Sequence, residues 1–202
     1  MEKTKVVPVI KLENAEDAVP LAEALLKGGI DIAEITYRTE CAPEAIRRIR
    51  RELPQILTGA GTVINPEMAL SAMEAGAEFI VSPGFNPLTA DFALKNNAVY
   101  IPGTATASEI EAALMKNLKV LKLFPAEVLG GTKLLKAFKG PFPQVKFLPT
   151  GGINADNYLS YLGEGNVLAV GGTWMIKNEM IKAKNWKAIT EECKKISDTL
   201  KG

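Results

Sequence analysis

Short apolar runs alternate with helical repeats from one end of the chain to the other. The runs 6–12, 32–38, 56–62, 79–83, 99–103, 120–125, 145–150 and 167–171 are rich in valine and isoleucine. They mostly lack the every-other-residue polarity of a half-exposed strand, so they read as strands buried on both faces. Between them lie helical spacings, such as Ala18, Leu21, Ala22 and Leu25. Asn14, Asn65-Pro66-Glu67, Asn86-Pro87 and Asn154 stand where helices should start, and Ser108-Glu-Ile-Glu111 reads as a capping box. Gly28-Gly29, Gly76 and Asn96-Asn97 suit left-handed helix ends. Pro20 predicts a local kink or a missing hydrogen bond in the first helix.

Eight strand-then-helix units describe a parallel sheet, and eight is the number that closes a barrel. The expected fold is therefore α/β, a (β/α)8 TIM barrel, forming one compact domain over residues 1–202. The competing architecture is an open doubly wound sheet. Against it, no G-x-G-x-x-G follows the first run.

Composition narrows the chemistry. The net charge is +1 and aromatics are 6%, which gives no footprint for nucleic acid or an anionic membrane. No apolar stretch approaches a membrane span. The start, Met-Glu-Lys-Thr-Lys, runs into Val6-Val-Pro-Val-Ile10, which is too short for a signal-peptide core; a cytoplasmic protein is expected. Cys41 and Cys193 lie far apart and lack metal-ligand spacing. The chain has no histidine, so Ser-His and Cys-His nucleophile pairs are excluded, and carboxylates, lysine, tyrosine or a thiol must move protons.

Active sites of such barrels lie at the C-terminal ends of the strands. The second run reads Ile32-Ala-Glu34-Ile-Thr36-Tyr-Arg38, so Glu34, Thr36 and Arg38 share one face. Two readings stand: a Glu34–Arg38 ion pair filling the barrel, or an acid/base (Glu34) beside an anion clamp (Arg38). In the sixth run Val120, Leu121, Leu123 and Phe124 enclose Lys122. Burial disfavours a charged amine, and an uncharged amine can attack a carbonyl carbon; the alternative is a lysine that snorkels to water. The third run ends Gly59-Ala-Gly61-Thr62, where a backbone passes close to a neighbour or a substrate. The last two runs end Thr150-Gly151-Gly152 and Gly171-Gly172-Thr173. Glycine pairs at these two places suit backbone amides that cradle phosphate, helped by the following helix N-termini, although ordinary turns also use glycine. Lys11 is either a further positive charge there or a solvated lysine.

With these residues in place the sequence resembles the class I 2-keto-3-deoxy-6-phosphogluconate (KDPG) aldolases, the bifunctional kind also called 4-hydroxy-2-oxoglutarate (KHG) aldolases. The segments that carry the resemblance include Glu34-Ile-Thr-Tyr-Arg-Thr-Glu-Cys-Ala42, Gly59-Ala-Gly-Thr62, Ile80-Val-Ser-Pro-Gly84, Leu121-Lys-Leu-Phe-Pro-Ala-Glu127, Pro149-Thr-Gly-Gly152 and Gly171-Gly-Thr-Trp174. The resemblance implies a Schiff base on Lys122 and acid/base work by Glu34. It implies that Arg38, Thr62 and Thr150 hold the pyruvate-derived end, with Pro83 and Phe124 lining that pocket. Gly151, Gly152, Gly172, Thr173 and Lys11 would hold the phosphate. Serine is common in the family where Thr173 stands, and arginine occurs where Lys11 stands. The resemblance also implies a cytoplasmic homotrimer that needs no metal or cofactor, with a phosphorylated keto acid and pyruvate as small-molecule partners. The alternatives are an aldolase for a related keto acid, such as the 6-phosphogalactonate epimer, and a phosphometabolite-binding barrel without catalysis.

Overall fold

A computed structural model describes residues 4–201. Its strands are β1 (Val6–Ile10), β2 (Ile32–Thr36), β3 (Leu57–Gly61), β4 (Phe79–Val81), β5 (Tyr100–Ile101), β6 (Gly103–Thr104), β7 (Val120–Leu123), β8 (Lys146–Pro149) and β9 (Val170–Gly172). One sheet runs β5-β4-β3-β2-β1-β9 and the other β6-β7-β8, all pairs parallel. Two features close them into a barrel. Pro102 alone separates β5 from β6, so these are two halves of one stave. Isolated parallel bridges Phe147↔Val167 and Thr150↔Gly171 join β8 to β9. The expected eight-membered barrel is present and the open sheet is not. The fifth stave is interrupted because proline has no N–H to give the ladder, although the Pro102 carbonyl still accepts from Lys122 N at 2.8 Å.

The helices α1 (Ala18–Lys27), α2 (Ala42–Glu52), α3 (Pro66–Glu74), α4 (Pro87–Lys95), α5 (Ala107–Met115) and α6 (Gly131–Lys139) follow the staves. They are joined by α7 (Tyr158–Leu162), α8 (Asn178–Lys182) and the long α9 (Trp186–Lys201). Their inner faces and the outer faces of the staves form the core, with Leu21, Leu25, Ile35, Ile46 and Ile49 fully buried. Asn65 and Asn86 cap α3 and α4 by accepting from backbone amides, as their pattern predicts. Gly29, Gly76 and Asn97 take the left-handed conformation at helix ends.

Three local expectations are corrected. The capping box of α5 is Thr106 with Glu109, two residues earlier than Ser108 with Glu111. Asn14 makes no side-chain cap and leads into a 3-10 turn, Ala15–Asp17. Pro20 falls in the first turn of α1, where helix amides have no partner to lose, so no hydrogen bond goes missing.

Candidate active site

Glu34 on β2 is completely buried, and Lys122 on β7 is 5% exposed. These strands are not neighbours in either sheet, so side chains that meet between them must cross the barrel interior. They do meet: Lys122 Nζ lies 3.5 Å from Glu34 Oε1. Room for the carboxylate comes from Gly61, where a Cβ would fall 2.2 Å from Glu34 Oε1. Neither Glu34 oxygen has a hydrogen-bond partner among the described residues. A buried carboxylate so poorly satisfied is costly, and such groups concentrate where a ligand completes them. The Lys122 amine also stands 5.3 Å from the centre of the Phe124 ring.

The Glu34–Arg38 pair is not formed. β2 ends at Thr36, and Arg38 lies beyond it in an exposed turn, so the three-residue face predicted for this run breaks after Thr36. Arg38 Nε instead donates to Thr62 Oγ1 at 3.3 Å. Thr62 has φ 59°, a left-handed conformation uncommon for a threonine. Strain of this kind persists where surroundings enforce it, often at functional sites. Pro83 packs its carbonyl against Gly103, the register partner of Lys122; a Cβ on Gly103 would come within 2.1 Å of it. Thr150 is buried beside Gly171, and its hydroxyl has no partner among the described residues. Thr36 donates its hydroxyl to the Ile10 carbonyl at 2.9 Å.

A cavity of about 490 Å³ opens at the same end of the barrel. Its walls include Lys11, Arg38, Phe124, Thr150, Gly151, Gly152, Gly172 and Thr173, eight of the residues singled out from sequence. Lys122 and Glu34 are one neighbour away, because the Phe124 ring faces the amine and Val9, another wall residue, pairs with Glu34. Gly151 and Gly152 have φ 98° and 81°, which glycine adopts without the penalty other residues meet. No backbone carbonyl among the described residues accepts from the amides of Gly152 or Thr173, so both can serve an anion. The expected helix N-termini do not stand directly behind these amides, since α7 and α8 begin only at Tyr158 and Asn178. Lys11 is exposed and bonded to Glu13 at 2.7 Å, which holds the Glu13 carboxyl below its ordinary range.

Trp174, Ile153, Ile176, Lys177, Asn178 and Glu179 also line the cavity, and the residue pattern assigned none of them. Trp174 carried one signal, its place directly after the Gly171-Gly172-Thr173 run. Its ring covers Gly172, where a Cβ would come within 2.0 Å of it, and it lies 5.6 Å from the Tyr158 ring, centre to centre.

The family model described as KDPG and KHG aldolase matches residues 1–192. The chain belongs to the KDPG and KHG aldolase family. A family member from Treponema pallidum, a 2-dehydro-3-deoxy-phosphogluconate aldolase, is 48% identical over 94% of this chain and 90% of its own. The KHG/KDPG aldolase of Escherichia coli K12 is 45% identical over 92% of this chain and 87% of its own. Among solved structures, the KDPG aldolase of Legionella pneumophila superposes with a TM-score of 0.93 at 45% identity, covering 95% of this chain and 93% of that one. In that crystal structure pyruvate is captured at low pH as a covalent carbinolamine.

Proposed function

We propose that this family member is a class I aldolase that cleaves KDPG to pyruvate and glyceraldehyde 3-phosphate, and KHG to pyruvate and glyoxylate. The observation that carries the reading is the Lys122–Glu34 couple, two ionisable groups 3.5 Å apart inside the barrel and beside the cavity. A carbinolamine, the species captured in the Legionella relative, is the adduct an amine forms with a ketone.

The steps follow from these placements. The Lys122 amine adds to the C2 ketone, and Glu34 is the group placed to take and return the proton involved. Water leaves the carbinolamine and an iminium remains. Glu34, directly or through a water, accepts the C4 hydroxyl proton. The C3–C4 bonding electrons flow into the iminium, the aldehyde departs, and an enamine is left. Protonation at C3 and addition of water then release pyruvate and the free amine. Arg38, Thr62 and Thr150 hold the carboxylate end, with Pro83 and Phe124 as pocket walls. Gly151, Gly152, Gly172, Thr173 and Lys11 hold the phosphate. The reading carries no metal or cofactor.

We further propose that the enzyme works in the cytoplasm as a homotrimer. No described helix is long and apolar enough to cross a membrane. Exposed Leu88, Val99, Met115 and Val128 supply apolar surface for an assembly to cover.

Borohydride reduction with pyruvate, followed by peptide mapping, tests the nucleophile. The label should map to the peptide that holds Lys122, and Lys122→Ala should abolish it while circular dichroism reports a folded chain. Labelling of the variant as efficiently as the parent overturns the assignment.

A further inference from the structure

The loop after β7 and the loop after β8 run side by side. Ala126 N donates to Thr150 O at 2.8 Å, and Glu127 N donates to Gly151 O at 3.1 Å. The Glu127 side chain then crosses Gly152, where a Cβ would lie 2.5 Å from Glu127 Cβ. At its tip, Glu127 Oε1 accepts a hydrogen bond from the hydroxyl of Tyr161, a buried residue of α7. Gly131, at the start of α6, leaves the space for this pair; a Cβ there would stand 2.9 Å from the Tyr161 hydroxyl and 3.1 Å from Glu127 Oε1. Burial first, and the Glu127 carboxylate second, push the Tyr161 phenol well above its ordinary range, so it remains a donor at neutral pH.

A carboxylate beside amides meant for an anion is unfavourable by charge alone. Its place is understandable if it does something else for those amides. Gly151 and Gly152 carry no side chains, so nothing of their own fixes where their amides point.

We propose that Glu127 and Tyr161 form a clasp that holds the Gly151–Gly152 loop against the β7 loop, setting the phosphate cradle at a fixed reach from Lys122. Both are positioning residues, and neither touches the reacting atoms. The inference rests on the aldolase reading above and adds to it what keeps recognition of the phosphate in register with the nucleophile.

The test compares KDPG with KHG, which has no phosphate. Tyr161→Phe removes the donor and little else. It should raise KM for KDPG on the order of tenfold, the scale of one lost hydrogen bond to a charged group. KM and kcat for KHG should stay at the parent values. Glu127→Ala should reproduce that split, whereas Glu127→Gln, which keeps an acceptor for Tyr161, should restore KM for KDPG to near the parent value. Thermal melts confirm that each variant folds. An unchanged KM for KDPG in Tyr161→Phe overturns the clasp, and so does a parallel loss on both substrates, which marks a merely structural role. A parent that neither cleaves KDPG nor traps pyruvate fails at the aldolase reading itself, an outcome distinct from an active parent indifferent to Tyr161→Phe.

Discussion

The acid/base role proposed for Glu34 rests on where that residue is held. It is fully buried, its oxygens lack hydrogen-bond partners among the described residues, and the Lys122 amine lies 3.5 Å away. Replacing the carboxylate by an amide of the same shape keeps the packing and removes the proton acceptor. Glu34→Gln should therefore slow turnover by roughly 10²–10⁴, the usual size of an acid-base contribution, with pyruvate trapping on Lys122 still detectable. Steady-state kcat checks this, and near-normal turnover would remove Glu34 from the role. This pair was legible in the sequence because a lysine and a glutamate inside apolar strands are anomalies that demand a reason. Its geometry was not. Sequence pattern set Glu34 against Arg38 on its own strand, while the partner it meets comes from across the barrel. Nor did Lys177, Asn178 or Glu179 stand out, since charged and polar residues in a loop look ordinary until a cavity is seen beside them.

At the scale of elements, α5 shows where local signals compete. Residues 106–111 read Thr-Ala-Ser-Glu-Ile-Glu, and the capping-box pattern fits both Thr106 with Glu109 and Ser108 with Glu111. The structure uses the first: Glu109 N donates to Thr106 Oγ1 at 3.3 Å, and Thr106 N donates to the Glu109 carboxylate at 2.9 Å. That choice adds a turn's start to the helix, and a pattern of equal quality cannot select it without the tertiary frame. Thr106→Ala should cost about 1 kcal/mol of stability, as loss of a good cap does, while Ser108→Ala should leave it nearly unchanged. Denaturant melts of the two variants separate the frames. The strands were easier to read, because runs buried on both faces leave few alternatives; two predicted runs are interrupted, the fifth at Pro102 and the last between the Val167 bridge and β9. Helix ends at Gly29, Gly76 and Asn97 were legible for the same kind of reason, a conformation few residues tolerate.

Over the whole molecule, the last helix ties the ends of the chain together. α9 packs on α1, and the fit is close: a Cβ on Gly28 would stand 2.3 Å from Cys193 Cβ. Cys193 is fully buried, and burial pushes its thiol up to about 12. A thiol so placed is neither ionised nor reachable at neutral pH. Cys193 should thus resist Ellman's reagent in the native protein and react only when denaturant opens the fold, at the midpoint seen by circular dichroism. Reaction well below that midpoint would mean that α9 detaches independently. The barrel as a whole was foreseeable from eight repeated units, but this seam was not, since Gly28 and Cys193 are 165 positions apart and each looks incidental alone.

In the proposed reaction the bond-making groups project from barrel strands, whereas the far end of the substrate is assigned to glycine-rich connections that follow the eighth and ninth strands. Tailoring the enzyme toward new aldehydes therefore calls for remodelling those connections, leaving the catalytic interior untouched. Libraries confined to 151–153 and 173–179 should change which aldehyde is accepted while pyruvate chemistry survives.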